Sequence, residues 1–175
     1  MRKWLILFCA LLILAVVNVS IWQNEKLIKD GETVLLELAP VDPRSLMQGD
    51  YMALRFAMAD AIRGKLHNKN ESLTGQVIVQ LDAQRRASLV GLDTQQKLED
   101  DQLRLQFRLR NGQIKFATNA FFFEEGTSNV YEQAQYGLFR VGKEGQLILT
   151  HLVDAQLQTL GQSKPLQAID AATQR

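Results

Sequence analysis

The sequence predicts a mainly β protein, with an N-terminal transmembrane helix followed by an antiparallel β-sandwich or barrel-like domain built of hairpins. Three observations carry this expectation. Residues 4–22 form an apolar run that only Asn18 and Ser20 interrupt. Leu103, Leu105, Phe107 and Leu109 alternate with polar residues up to Asn111-Gly112, the strongest short turn signal for a two-residue hairpin. Other short alternating segments follow one another with Gly and Asn between them.

The apolar run is the first element. At about 1.5 Å of rise per residue it reaches ~28 Å, close to the ~30 Å of a bilayer's hydrocarbon core. Trp4 and Trp22 stand at its ends, where indoles favour the interface, and Arg2 and Lys3 mark the short N-terminal side as cytoplasmic. The domain is then expected in the opposite compartment. A cleaved leader needs small residues at two spaced positions, and Asn18 and Ser20 are a poor match. Bulky Phe8 before Cys9 argues against a lipoprotein site. An uncleaved anchor is the preferred reading. The expected organisation is an anchor over 1–22, a juxtamembrane linker over 23–31, a β-rich domain over 32–160 and a polar, flexible tail over 161–175. The linker is expected to prolong the helix by a turn or two, with Gly31 as its stop.

Composition narrows the function classes. Without Arg2 and Lys3, the 20 Lys and Arg become 18, against 19 Asp and Glu. That balance disfavours nucleic acid, which calls for a clustered basic surface. The one cysteine, Cys9, lies in the apolar run, so the domain has no disulfide and no cysteine ligand and depends on packing. This composition fits a bacterial envelope protein.

Within the domain, Thr33–Leu38 reads as a strand closed by Pro40 and Pro43. Tyr51–Phe56 reads as another, with Tyr51, Ala53 and Arg55 on one face and Met52, Leu54 and Phe56 on the other. Short helices are expected over 57–66 and 94–101. Folding about Asn111-Gly112 pairs Arg110 with Gln113, Leu109 with Ile114, Arg108 with Lys115 and Phe107 with Phe116. The apolar pairs then share one face. Arg108 opposite Lys115 is a like-charge pair, which costs stability unless an acid is near. Phe121, Phe122 and Phe123 read as a strand buried on both faces rather than a patch dipping toward a membrane. Two further hairpins are expected, Gln76–Leu81 with Ala87–Leu92 and Gly137–Val141 with Gln146–Leu152. Leu81 and Leu92 are 11 residues apart, as are Val141 and Leu152, and an arginine-bearing strand precedes each pair: Tyr51–Phe56 and Leu103–Leu109. This hints at duplication, although amphipathic strands resemble one another by default, and that plainer reading is preferred.

The segment Pro40-Val-Asp-Pro-Arg-Ser-Leu-Met-Gln-Gly-Asp-Tyr-Met-Ala-Leu-Arg-Phe56 is the most distinctive. Gly49-Asp50-Tyr51, Leu54 and Phe56 resemble the motif of the GDYXXLXY family of bacterial membrane-anchored proteins. The likeness continues at Phe121–Gly126 and Tyr131–Val141. Phe56 stands where the family name has tyrosine, which removes a hydroxyl. The resemblance implies a membrane setting and a multi-pass membrane protein as partner, but no reaction or ligand. Read from the residues, the motif is either a turn and strand whose tyrosine packs on a neighbouring sheet, or a surface cluster. In the second reading Arg44, Gly49, Asp50, Tyr51, Leu54, Arg55 and Phe56 are joined by Glu124, Glu125, Tyr131, Glu132 and Tyr136, since Tyr and Arg are enriched in interface hot spots.

Chemistry is sparse. His67 and His151 are far apart in sequence, and the carboxylates lack metal-ligand spacing, so no metal and no cofactor are expected. No phosphate loop, dinucleotide fingerprint or serine elbow is present. A signal-peptidase-like hydrolase would need a serine before its proline, whereas Ser45 follows Pro43, and Lys65 and Lys115 lack a supporting motif. The expectation is a non-catalytic, membrane-anchored periplasmic accessory domain with a multi-pass inner-membrane partner. An envelope ligand-binding module is the alternative, and the hydrolase comes last.

Overall fold

A computed structural model of the chain describes residues 2–39, 47–48, 51–66 and 72–161. Helix α1 runs over Arg2–Asp30 and is long and apolar enough to cross a membrane; none of its apolar window is buried against the rest of the chain. Asn18 is accommodated within the helix because its side-chain amide donates to the Leu14 carbonyl at 2.8 Å. The helix stops at Gly31, whose N–H donates to the Leu27 carbonyl. Arg140 pins this end to the domain, donating to the Gly31 carbonyl at 3.1 Å and to Thr33 Oγ1 at 2.7 Å. A cation at a helix C-terminus also opposes the partial negative charge there.

Ten strands form three antiparallel sheets among the described residues. One sheet orders β1 (Glu32–Glu37), β9 (Tyr136–Val141) and β10 (Leu147–Val153) with β9 central. A second orders β5 (Ala87–Leu92), β4 (Leu73–Leu81), β6 (Gln102–Arg110) and β7 (Gln113–Lys115). The third is small: β2 (Met47–Gln48), β3 (Tyr51–Ala53) and β8 (Ala120–Phe122). Helix α2 (Ala57–Lys65) follows the motif strand, and α3 (Ser128–Tyr131) follows β8.

Main-chain bonds join the sheets. Leu35 N–H donates to the Arg85 carbonyl, Ala39 to Arg55 and Gln106 to Gly145. The strands thereby curl round one shared core. Val34 and Leu36, Leu54 and Phe56, Val77 and Val79, Leu105, Phe107 and Leu109, and Phe139 and Val141 all point into it. The period-2 spacing of these residues is what lets each strand bury one face.

The hairpin at Asn111-Gly112 has the register that the alternation predicts: Arg108 lies opposite Lys115, Leu109 opposite Ile114 and Arg110 opposite Gln113. Asn111 and Gly112 both have positive φ, 51° and 71°, as a type I′ turn requires. Phe116 is buried just past the end of β7.

The two hairpins that the spacing aligns share their geometry. In β4–β5, Leu81 lies opposite Ala87 and Val79 opposite Leu89, and the register then shifts so that Ile78 faces Gly91. In β9–β10, Val141 lies opposite Leu147 and Phe139 opposite Leu149, and Leu138 then faces His151. The same bulge thus recurs at the same place in both hairpins. The loops agree as well. Asp82 N–H donates to the Arg86 carbonyl and Arg85 to Asp82; Gly142 donates to Gln146 and Gly145 to Gly142. Arg85 and Gly145 both have positive φ. A glycine is required at 145 because a Cβ there would lie 2.9 Å from the Arg104 carbonyl oxygen.

The strands that lead the two halves are β1 and β6: the second contains Leu103–Leu109 as the spacing suggested, but the first is Glu32–Glu37 and not Tyr51–Phe56. They are exchanged. Strand β1 pairs with β9 of the second hairpin, and β6 pairs with β4 of the first. Tyr51–Phe56 instead belongs to the third sheet, because Met52 and Ala53 pair with Phe121 and Ala120. The exchange makes each half's sheet incomplete without the other.

Two further expectations fail. No helix forms over 94–101. The Asp93 carboxylate accepts from the Gln95 N–H at 2.9 Å, Gln95 takes a positive φ, and Arg104 draws in the Gln96 carbonyl at 2.6 Å, so the chain's local polar bonds hold it as a loop. Nor is the triple phenylalanine buried on both faces: Phe122 is 73% exposed. Strand β8 is the outer strand of its sheet, and alternation aims Phe122 away from its neighbours Phe121 and Phe123.

The 82–86 loop is organised by one carboxylate. Asp82 Oδ1 accepts from the N–H groups of Gln84 and Arg86 at 2.8 and 2.9 Å, and Oδ2 accepts from Arg86 Nε at 2.7 Å. The Arg86 N–H first, then its guanidinium, hold the Asp82 carboxyl below its ordinary 3.8. A depressed carboxyl stabilises the fold above its unfolded pKa and ceases to do so as pH falls through the folded one. The melting temperatures of wild type and Asp82→Ala are therefore expected to differ by a constant amount above pH 3.8 and to converge below it.

Candidate functional site

The motif strand is built as its alternation demands. Met52, Leu54 and Phe56 are buried, at 5%, 2% and 1% exposure, whereas Tyr51 and Ala53 are half-buried and Arg55 is exposed. Leu54 and Phe56 are thus core residues. The Phe56 ring meets Phe116 edge-on at 5.7 Å between centroids and Phe139 at 5.5 Å. Arg55 forms a solvent-exposed ion pair with Asp60 at 3.5 Å, a contact worth at most about 1 kcal/mol. Arg44, Gly49 and Asp50 lie outside the described residues, as do Ser45 and His67.

Tyr51 lies directly opposite Phe122 across the β3–β8 pair, and their rings are tilted at 43° with centroids 5.8 Å apart. This pair forms the outer face of the third sheet. Its other face is closed by Tyr131, whose ring lies 5.1 Å from Phe121 and 5.2 Å from Phe123, stacked on the latter. Residues 121 and 123 share a face, so one tyrosine from α3 covers both. Tyr131 is therefore a packing residue for this sheet rather than part of a patch shared with Tyr51.

The remaining predicted residues scatter. The Glu124 carbonyl accepts from both the N–H and the hydroxyl of Thr127, so its main chain makes the turn before α3 while its side chain stays exposed, as do those of Glu125 and Glu132. Tyr136 stands on β9 opposite Glu37 and Val153. Its hydroxyl faces Arg86, and Asp82 first and then Tyr136 raise the Arg86 pKa above its ordinary value. Tyr136 thus belongs to the 82–86 loop, not to the motif strand.

Among the described residues no group of three or more His, Cys, Asp or Glu is placed to hold a metal ion. Lys65 donates to the Val90 carbonyl at 3.1 Å. Sequence reasoning missed Phe122 as the exposed member of its triplet. Strict alternation within an edge strand is the pattern that marks it. A model of the GDYXXLXY protein family matches residues 13–152, a span from the middle of α1 to near the end of β10. No curated protein and no solved structure matches the chain.

Proposed function

We propose that this chain, which belongs to the GDYXXLXY protein family, is a membrane-tethered, non-catalytic accessory domain. In this reading α1 crosses the bacterial inner membrane, the β domain stands in the periplasm, and exposed Phe122 with half-buried Tyr51 beside it docks on a multi-pass membrane protein. The observation that carries the reading is Phe122: a phenylalanine 73% exposed, in ring contact with the tyrosine of the family motif. Aromatic residues, Phe and Tyr among them, are enriched at interfaces relative to the rest of the surface. Tethering confines domain and partner to one surface, so a weak interface suffices.

The test is Phe122→Ser. An exposed side chain contributes little to folding, so the melting temperature is expected to stay within the change produced by about 0.5 kcal/mol. Co-purification of a multi-pass membrane protein from solubilised membranes is expected to fall at least about tenfold, as for loss of one aromatic hot spot. Unchanged co-purification by a folded variant contradicts the assignment of this face.

A further inference from the structure

A second site lies on the outer face of the four-stranded sheet. Thr74, Arg108 and Lys115 form a row across β4, β6 and β7, since Thr74 lies opposite Arg108 and Arg108 opposite Lys115. With Gln106 and Gln146 they line a hollow of about 230 Å³, walled on one side by the 142–146 loop. That loop is fastened to the sheet: Gln106 N–H donates to the Gly145 carbonyl at 2.8 Å, and the Gln76 amide donates to the Glu144 carbonyl at 2.7 Å.

The charge in this hollow is unbalanced. Arg108 spends one N–H on the Ala117 carbonyl at 2.8 Å. Among the described residues neither Arg108 nor Lys115 has a carboxylate within ion-pair distance; the ion pairs formed there involve Arg55, Arg85, Arg86 and Arg104. Two cations directly opposite each other on paired strands repel. The rest of the lining is an alcohol and two amides, which supply further donors without adding negative charge, and the apolar Ala117 and Leu147. A hollow of about 230 Å³ has room for a small oxyanion.

We infer that Arg108 and Lys115, with Thr74, Gln106 and Gln146, form a binding site for a phosphate group. A guanidinium offers a fork that matches two phosphate oxygens, and the ammonium adds a point charge beside it. The anion replaces the missing carboxylate and relieves the repulsion of the pair. The hollow also lies near the end of α1. A Cβ at Gly142, at the start of the loop that carries Gln146, would come within 3.0 Å of Leu27, five residues past Trp22. The phosphate of a lipid headgroup is thus one source, and a soluble phosphate is the other.

The test uses the full chain in micelles of an uncharged detergent. Inorganic phosphate is expected to raise its melting temperature above that given by sodium chloride at matched ionic strength. Lys115→Gln is expected to weaken the apparent phosphate affinity at least about tenfold, as for loss of a charge-assisted bond. Without phosphate that variant is expected to melt no lower than wild type, because a like-charge neighbour has been removed. The source is read from acylation of Lys115 by a water-soluble amine reagent on the unmodified chain in vesicles. Protection in phosphatidylglycerol–phosphatidylcholine vesicles, and not in phosphatidylcholine alone, assigns the lipid phosphate. Protection only on adding inorganic phosphate assigns the soluble anion. The proposal is overturned if chloride matches phosphate, if Lys115→Gln responds like wild type, or if Lys115 is acylated equally in every condition. Should Lys115→Gln fail to fold, the acylation result decides alone.

Discussion

Replacing Phe56 by alanine is expected to destabilise the domain by about 3–5 kcal/mol, the range for truncating a buried phenylalanine. Phe56 is 1% exposed and lies where the sheets meet. Its main chain bridges to Leu38 just beyond β1. Its ring touches Phe116 at the end of the β6–β7 hairpin and Phe139 on β9. Losing the ring opens a void that three separate sheets would have to collapse into, and their mutual main-chain bonds resist that movement. Urea unfolding of the two proteins checks it, with Phe56→Leu expected to cost less than Phe56→Ala. A loss below about 1 kcal/mol would mean that the site relaxes freely, against the close packing described. The burial also bears on the family tyrosine at this position: a hydroxyl here would need a partner, or cost about 1–3 kcal/mol if left without one.

The second large effect concerns α1. Arginine at Leu12 and Ile13, near the middle of the apolar run, is expected to remove the chain from the membrane fraction. Each central arginine opposes insertion by about 2.5–3.5 kcal/mol, so the pair shifts the partition by roughly four orders of magnitude. Both residues are more than half exposed, so the domain has no packing to lose. Fractionation after alkaline carbonate treatment is the measurement, with the domain's melting temperature as control. Retention of the double variant in the pellet would show that something other than this helix holds the chain there.

Much of the fold was legible in the residues because alternation, turn chemistry and length each point the same way. The Asn111-Gly112 hairpin is the clearest case: positive φ is cheap at both positions, and a single register buries Leu109 and Ile114 together. The stop at Gly31 and the helix at 57–65 followed similarly. What could not be read is non-local. Nothing near β1 announces that it pairs with β9 rather than with β4. The exchange of leading strands depends on core packing across more than a hundred residues of chain. The likeness of the two hairpins is also carried by structure, as a bulge repeated at matching positions rather than a repeated string of residues. Asp93 and Arg104 likewise decide the fate of 94–101 from outside it.

The candidate site divides in the same way. The two faces of Tyr51–Phe56 were readable from period-2 alternation, and Leu54 and Phe56 took the buried one. The partner of Tyr51 was not readable, because β8 is distant in sequence and joins β3 only in the folded sheet. The separation of Tyr131 and Tyr136 from Tyr51 also arises from sheet assignment. Arg108 and Lys115 were visible as an unfavourable pair, but the loop that makes a hollow over them comes from the second hairpin.

Protease digestion of intact spheroplasts checks the proposed arrangement, a tethered domain facing away from the cytoplasm. The full-length chain is expected to stay with the membrane pellet, and protease added outside is expected to remove the β domain while cytoplasmic markers survive. Recovery of the intact chain in the soluble fraction, or its full protection until the spheroplasts are lysed, would contradict it.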